Sequence, residues 1–365
     1  MIYKNYGNTD MKVSAIGFGA MRYDDSDVRA GNYEKCAEVA LYAHQQGINY
    51  FDTAPHYCMD KSEAITGIAL KQLPRESFFV STKANFGTLL GDGKPTKDNF
   101  RRRLETSLTR LGTDYIDFYH LWCIKNLDEF GKLYEQTYAF YEEAMKEGLI
   151  RNIVFSSHMP GEQLETVINA HNFRGMLIGY NALNYRFRQS GIAAAYEKGM
   201  GIVVMNPLGG GLIARNADRF AYLSAGSELT VPQAALRFVA SHREISVTLA
   251  GFTTKAQVDD GIIAVRDLVE KPAAVICDEQ PSTGESINDM CTGCGYCDSC
   301  PVGIQIPKFM DAYNMVLLGD SFQNRLAWHW DVTADEAGEC TGCGHCEGLC
   351  TQHLPIKERL AHIAG

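Results

Sequence analysis

Eight of the twelve cysteines in this 365-residue chain fall in two tight groups near its end. Each group has the form Cys-x₂-Cys-x₂-Cys with a trailing fourth cysteine, after two residues in the first group and three in the second. Runs of this form ligate pairs of [4Fe–4S] clusters, and the fourth cysteine normally binds the other cluster. We therefore predict one cluster on Cys291, Cys294, Cys297 and Cys350, and a second on Cys340, Cys343, Cys346 and Cys300.

Structural zinc is the alternative for these cysteines. Zinc favours four ligands per site in paired Cys-x₂-Cys units rather than runs of four. The cysteine segment is also acidic, since residues 285–350 carry ten acids and two bases, a net charge of −8. That charge predicts either a solvated face or a docking surface for a basic electron carrier. The scattered Cys36, Cys58 and Cys123 are expected to be small buried apolar side chains.

A second set of candidate residues lies early in the chain: Asp52, Tyr57, Lys83 and His120. Each lies in or just after one of three successive strand-like segments. Reduction of a carbonyl by hydride needs a proton donor for the oxygen. A tyrosine hydroxyl is a weak acid, and a nearby lysine cation is expected to lower its pKa. A carboxylate would keep that lysine charged, and a histidine would orient the carbonyl. Taken singly, each residue has an ordinary structural role as the alternative.

The elements that must position these residues alternate along residues 15–268. Short apolar segments are predicted as buried parallel strands and the periodic segments between them as helices. Eight such units have the size of an α/β fold of the (β/α)₈ TIM-barrel type, whose catalytic groups sit at the carboxyl ends of the strands. A doubly wound sheet is the alternative. The predicted strands are 15–20, 49–54, 78–84, 116–122, 150–157, 176–181, 201–207 and 246–252; the predicted helices are 33–47, 61–73, 100–112, 134–148, 161–170, 192–199, 231–242 and 255–268.

The chain divides into two predicted domains, a barrel over 1–280 and a small, mainly helical two-cluster ferredoxin-like domain over 281–365. A hairpin is expected over 3–14 and a linker over 281–285. Helices are expected over 308–318 and 321–330.

Composition restricts the partners. The net charge of −10 argues against nucleic acid and anionic membranes. The sequence contains no run of 18 apolar residues, so we expect no transmembrane helix. The first residues lack the basic and apolar pattern of a signal peptide, so the cytoplasm is the expected location.

Several of these motifs resemble the aldo/keto reductase family. The matching segments are Phe51–Tyr57 with Lys61–Glu63, Ser81–Lys83, Tyr119–His120, 150–157, 179–181 and 206–211. The cysteine segment resembles the ferredoxin-like tail fused to one branch of that family. The resemblance implies a barrel that reduces carbonyl compounds, or oxidises the alcohols, with NADP or NAD and without a metal.

In that family the proton donor corresponds to Tyr57, tuned by Lys83 and Asp52, while His120 positions the substrate. The resemblance also implies cofactor contacts, but several depart from the family pattern. Ser157 stands where Asn is usual, Leu177 where Gln is usual and Met205 where a ring-stacking Tyr is usual. The choice between NADP and NAD as the cofactor therefore stays open. The implied cofactor residues are Ser156, Ser157, Asn181, Pro207, Leu208, Gly209, Gly251, Lys255, Gln257 and Asp260.

Two functions follow from these motifs. The first is an NAD(P)H-dependent carbonyl reductase whose cluster domain is structural, regulatory or an entry point for electrons, or only braces a domain over the barrel mouth. The second is an electron-transfer enzyme whose clusters supply the barrel site, with a ferredoxin or flavodoxin-like carrier as partner. Nicotinamide gives two electrons as hydride whereas clusters pass one at a time, and we find no flavin motif to connect them.

Overall fold

The strands form a closed barrel with a hairpin at one end. The structure, a computed structural model, describes residues 1–278, 289–293, 295–350 and 352–365. In chain order the strands are β1 (Tyr3–Asn5), β2 (Lys12–Ser14), β3 (Ile16–Gly19), β4 (Tyr50–Asp52), β5 (Phe79–Asn85), β6 (Leu90–Gly91), β7 (Lys94–Pro95), β8 (Ile116–Ile124), β9 (Ile150–Ser157), β10 (Gly175–Gly179), β11 (Gly201–Met205) and β12 (Val247–Ala250).

The barrel contains eight parallel strands in the order β10-β11-β12-β3-β4-β5-β8-β9. All eight overlap the predicted strands, which confirms the expected (β/α)₈ fold. The two short antiparallel pairs, β1 with β2 and β6 with β7, lie outside the barrel.

Helices follow the barrel strands as expected. Capping residues define several helix ends. Thr96 caps the start of the helix Lys97–Leu111, and Gly112 ends it in a left-handed conformation. Thr230 forms a capping box with Gln233 at the start of the helix Val231–Ala240. The helices are α1 (Asp25–Ala30), α2 (Tyr33–Gln45), α3 (Ser62–Leu70), α4 (Phe86–Leu89), α5 (Lys97–Leu111), α6 (Leu127–Glu129), α7 (Tyr138–Lys146), α8 (Gly161–Ala170), α9 (Gln189–Glu197), α10 (Leu212–Arg215), α11 (Val231–Ala240), α12 (Lys255–Val265), α13 (Ala273–Asp278), α14 (Ile306–Leu317), α15 (Phe322–Arg325), α16 (His345–Leu349) and α17 (Ile356–Ala364).

Two predicted helices differ from the structure. The one expected over 134–148 starts later, at α7, after a π-helical turn over Phe130–Tyr134. The one expected over 321–330 ends at Arg325 and continues as a second π-helical turn, Leu326–Trp330. In both places the hydrophobic period alone does not reveal the change in winding.

The hairpin closes the amino-terminal end of the barrel. Tyr6 is fully buried there, and a Cβ would approach its hydroxyl oxygen to 2.2 Å from Gly175 and its ring to 2.2 Å from Gly201. Its ring also packs on Phe118, 4.3 Å between centroids. This end is therefore filled, and chemistry is restricted to the carboxyl ends of the strands.

The C-terminal residues form a compact unit with its own apolar core, which includes Ile306, Phe309, Trp330 and Leu360. Its helices α14 to α17 agree with the mainly helical domain predicted, although α16 and α17 were not predicted. The expected boundary at 280/281 and the linker over 281–285 fall outside the described residues. In the part of the chain that the structure describes, no helix is long and apolar enough to cross a membrane.

Candidate functional site

A buried ion pair forms the centre of the site. Lys83 Nζ donates to Asp52 Oδ1 (2.6 Å) and to the Thr53 carbonyl (2.7 Å). Asp52 ends β4, and Lys83 lies next to it on β5, in register with His120 on β8. Lys83 is 1 % and Asp52 4 % exposed. Burial lowers the pKa of Lys83, and the Asp52 charge opposes that effect.

Ser81 links this pair to His120. The Ser81 hydroxyl lies 2.8 Å from Asp52 Oδ2 and 2.8 Å from His120 Nε2. Because an ionised carboxylate only accepts, the hydroxyl donates to Asp52 and accepts from the Nε2–H of His120. That leaves Nδ1 as the acceptor nitrogen, and it is buried without a hydrogen-bond partner among the described residues. Burial and then the Lys83 charge hold the pKa of His120 well below its usual value, so the ring is neutral.

Tyr57 lies on the loop between β4 and α3, on the same rim as the ion pair. Its ring centre is 5.3 Å from Lys83 Nζ and 5.7 Å from the Trp122 ring, which it meets edge-on. The expected lowering of the Tyr57 pKa is wrong in this structure. Burial, followed by the Asp52 charge, raises the pKa of Tyr57, and the cationic effect of Arg22 is smaller. The phenol is therefore protonated at neutral pH.

The loop that carries Tyr57 has an unusual backbone. Four non-glycine residues beside the tyrosine have left-handed φ values between 50° and 70°, a conformation that side chains disfavour. The last of them is held by Arg110 of α5, which donates two 2.8 Å hydrogen bonds to its carboxylate. These four residues are His56, Cys58, Met59 and Asp60.

The residues implied for the nicotinamide amide are present but already bonded within the chain. The Ser156 hydroxyl accepts from the Cys123 N–H (2.8 Å), and the Ser157 hydroxyl donates to the Ile124 carbonyl (2.8 Å). The Asn181 side chain donates to the Asn206 carbonyl and accepts from the Leu183 N–H, both at 2.9 Å. All three are buried at the carboxyl ends of β9 and β10.

The glycine stretch after β11 suits a close backbone approach. Gly209, Gly210 and Gly211 all have positive φ, at 60°, 72° and 95°. A Cβ on Gly210 would meet nothing within 4 Å, so this turn is open. Pro207, buried, and Leu208, partly buried, precede it.

The implied adenine-end residues lie apart from these, after β12. Lys255 pairs with Glu38 (3.5 Å), Gln257 accepts from a loop N–H (2.7 Å), and Asp260 accepts from a side-chain amide of α11 (2.7 Å). Gly251 is exposed. Lys255 borders an open cleft between α2 and the start of α12. The residues that line this cleft are Tyr23, Asp24, Asp27, Lys35, Cys36, Glu38, Val39, Thr253, Thr254 and Lys255.

Three of the predicted ligands of the first cluster line one cavity. Cys291, Cys297 and Cys350 border it together with apolar side chains such as Met310 and Leu354. The trailing cysteine of the second run thus meets the first run, as the predicted exchange of ligands requires. Cys294 lies outside the described residues.

The second predicted ligand set, Cys340, Cys343, Cys346 and Cys300, is described in full. The Ser299 hydroxyl lies 3.1 Å from His345 Nε2, which brings the residue before Cys300 next to the second run. Among the described residues, no three Cys, His, Asp or Glu side chains are close enough to hold a single metal ion. The donor chemistry and the shared cavity fit clusters, which need thiolates spread around a cube.

Sequence reasoning overlooked three residues that organise the site. Ser81 could have been found, because it lies two residues before Lys83 and therefore on the same face of its strand. Trp122 could have been found by the same rule, because it lies two residues after His120 on β8. Arg110 gives no such signal, since its contact with Asp60 spans 50 residues and depends on how α5 packs.

A closed barrel with a buried Asp–Lys–Ser–His network at its strand ends, joined to a cysteine-rich domain, defines the class of protein. Residues 15–276 match the model of the aldo/keto reductase family, and residues 287–354 match that of a 4Fe-4S dicluster domain. The chain therefore belongs to the aldo/keto reductase family, is an oxidoreductase and carries a C-terminal iron–sulfur dicluster domain.

Relatives and solved structures agree with this assignment. The chain is 26 % identical over 302 residues to an NADH-specific methylglyoxal reductase of Escherichia coli strain K12, covering 71 % of this chain and 92 % of that protein. It is 28 % identical over 288 residues to L-galactose dehydrogenase of Arabidopsis thaliana, covering 72 % and 87 %. An aldo-keto reductase of Bacillus halodurans, in its holo form, matches with a TM-score of 0.63 at 25 % identity, over 78 % of this chain and 97 % of that one.

Proposed function

We propose that the barrel reduces an aldehyde or ketone, or oxidises the corresponding alcohol, with Tyr57 as the proton donor. The observation that carries this proposal is the buried Lys83–Asp52 pair, whose ammonium lies 5.3 Å from the centre of the Tyr57 ring. A protonated phenol beside a fixed cation at the carboxyl ends of barrel strands is an arrangement for general acid catalysis.

In this proposal the proton moves from the Tyr57 hydroxyl to the carbonyl oxygen as negative charge develops there. Lys83 stabilises the phenolate that forms, and Asp52 keeps Lys83 charged and in place. His120, neutral and bonded through Ser81, contributes to the shape and polarity of the carbonyl site. A nicotinamide, when bound, would supply the two electrons as hydride.

We further propose that this nicotinamide is NADH rather than NADPH. In the cleft beside α12, Lys35 pairs with Asp27 (2.8 Å) and Lys255 with Glu38 (3.5 Å), while Asp24 adds a further negative charge. A carboxylate suits a ribose 2′-hydroxyl, whereas a 2′-phosphate needs an uncommitted cation. Steady-state kinetics with both cofactors tests this: a lower KM for NADH supports it, and a lower KM for NADPH contradicts it.

The proposed cluster ligands are the two sets of four cysteines given above, in a domain that begins near residue 281. The clusters supply one-electron storage. Cys343 is exposed, and the acidic character of residues 285–350 suits a basic electron carrier docking there. Such a carrier, of the ferredoxin or flavodoxin type, remains the proposed macromolecular partner.

Replacement of Tyr57 by Phe tests the main proposal. The change keeps the ring, its contact with Trp122 and the cluster domain, and removes only the proton donor. We expect kcat for aldehyde reduction to fall about 10²- to 10⁴-fold, the usual contribution of a general acid. Unchanged cluster absorbance is the control. Reduction at the wild-type rate would remove Tyr57 from the mechanism.

A second function has one observation in its favour. Three residues between the cysteine runs, Trp328, His329 and Trp330, contact loops that follow β8, β9 and β10, so the cluster domain touches the rim that carries Tyr57. In that function single electrons from the clusters would reach the substrate, while Tyr57 still donates the proton. Anaerobic mixing of the protein, its clusters first reduced chemically, with an aldehyde and no nicotinamide separates the two. Reoxidation of the clusters with formation of the alcohol favours the second function, and clusters that stay reduced favour hydride transfer.

A further inference from the structure

The π-helical turn Leu326–Trp330, between the two cysteine runs, lies across the catalytic rim. Three consecutive residues of this turn contact loops after three consecutive barrel strands. Trp328 lies beside Lys125 after β8, with Nζ 4.6 Å from the ring centre. His329 lies 4.1 Å from the ring of His158, which follows β9. Trp330 then packs on the loop after β10.

The contact at Trp330 is a firm anchor. Its ring is 5.1 Å from Phe187 and 4.9 Å from the guanidinium of Arg188, and its indole N–H donates to Asp311 (2.6 Å). Trp330 is 2 % exposed and Arg188 is fully buried. The next residue, Asp331, has a left-handed φ of 51° and accepts a hydrogen bond from Asn126 after β8. Trp330 and Asp331 therefore hold the turn on the barrel, at the loops after β10 and β8 respectively.

Trp328 differs from this anchor because it remains 57 % exposed. The buried anchor of the turn is Trp330, whereas the Trp328 ring contacts Lys125 and keeps most of its surface exposed. Lys125 follows Trp122 by three residues, and the Trp122 ring contacts Tyr57. A large exposed aromatic ring thus stands at the edge of the rim that holds the catalytic tyrosine.

Two more apolar side chains are exposed on the loops after β3 and β4, which β5 separates from β8 in the barrel order. Met21 follows β3 and is 49 % exposed, and Met59 follows β4 and is 45 % exposed. Their loops touch, since Cys58 Sγ lies 3.5 Å from the Met21 carbonyl. Methionine is adaptable and contacts aromatic groups well. The rim therefore carries exposed apolar side chains beside the loop after β8 and on the loops after β3 and β4.

We propose that Trp328 of the iron–sulfur domain is a specificity-determining residue of the barrel, and that the substrate is a carbonyl compound with an aromatic or extended apolar group that packs on it. The proposal rests on the proposed carbonyl reduction. In this proposal an aryl or long alkyl aldehyde bound at Tyr57 extends along the rim to Trp328, and a three-carbon aldehyde does not. The cluster domain would then form part of the substrate site.

The test compares wild type, Trp328→Ala and Trp328→Phe as full-length, cluster-loaded proteins. KM and kcat are measured for methylglyoxal and for a naphthaldehyde. We expect Trp328→Ala to raise KM for naphthaldehyde about 3- to 10-fold, the size of one aromatic contact, and to leave methylglyoxal within about 2-fold. Trp328→Phe should keep most of the affinity. Equal effects on both aldehydes, or none, would overturn the proposal.

Tyr196→Ala is the matched control, because Tyr196 is 42 % exposed and lies under Arg243 on the outer helix α9. It should change neither KM. Equilibrium binding of the naphthyl alcohol, measured by calorimetry, keeps the test independent of turnover. If no carbonyl is reduced by any protein but Trp328→Ala weakens this binding, the proposed function fails and the aromatic subsite stands. If reduction occurs and binding is unchanged, the subsite fails alone.

Discussion

Replacement of Lys83 by Met tests the buried ion pair most sharply. The change removes the cation and leaves the Asp52 carboxylate, 4 % exposed, with Ser81 as its remaining side-chain donor. Breaking a buried pair by removing one partner costs about 3–5 kcal/mol, because the remaining charge is uncompensated. For a domain of this size that free energy corresponds to a decrease in Tm of roughly 6–20 °C. Carbonyl reduction should also be lost, since the phenolate of Tyr57 would have no adjacent cation.

The double variant Asp52→Asn/Lys83→Met separates stability from catalysis. Neutral groups of similar shape replace both charges, so most of the lost stability should return while activity stays absent. Thermal unfolding followed by far-UV circular dichroism at fixed protein concentration measures the first effect, and initial rates measure the second. If the single variant Lys83→Met melts within about 1 °C of wild type, then loss of Lys83 does not leave a costly unpaired charge on Asp52, and the argument is refuted.

Three further predictions concern other parts of the molecule. Cys350→Ser should remove the cluster shared with the first cysteine run and halve the bound iron in a chelation assay, whereas Cys277→Ser should keep all of it; full iron in Cys350→Ser would contradict the ligand exchange. Ser81→Ala should lower kcat about 10-fold by releasing the tautomer of His120, and an unchanged kcat would show that this hydrogen bond is dispensable. The hydrogen bonds from Arg110 lower the pKa of Asp60 to about 2, below its unfolded value of about 3.9, so its stabilisation is present above about pH 4 and lost as pH falls toward 2. The Tm difference between wild type and Asp60→Asn should therefore shrink over that range, and a constant difference would be evidence against the ion pair.

The barrel and the rim could be predicted from the sequence because both depend on local patterns. Short apolar segments alternate with helical ones, and the carboxyl-end rule then places Asp52, Lys83 and His120 together. The structure confirms this juxtaposition. The period-2 rule could also have given Ser81, had the strand been read residue by residue.

Other features depend on tertiary packing and have no local signal. The bidentate ion pair between Arg110 and Asp60 joins α5 to the Tyr57 loop. The pKa of Tyr57 is raised by burial, which composition does not reveal. The contacts of Trp328 and Trp330 with the barrel arise only when two domains dock. The hydrophobic period also cannot distinguish a π-helical turn from an α-helix, so the sequence predicts an ordinary helix over 321–330, where the structure has a π-helical turn.

The central claim is that the barrel transfers hydride to a carbonyl while Tyr57 supplies the proton. Its most direct test uses NADH deuterated at the transferred position of C4, the cluster-loaded protein and an aldehyde in ordinary water, with mass spectrometry of the alcohol. Hydride transfer predicts one deuterium on the former carbonyl carbon for each NADH consumed. Delivery of single electrons through the clusters would instead take that hydrogen from water, and an alcohol without deuterium would contradict the claim.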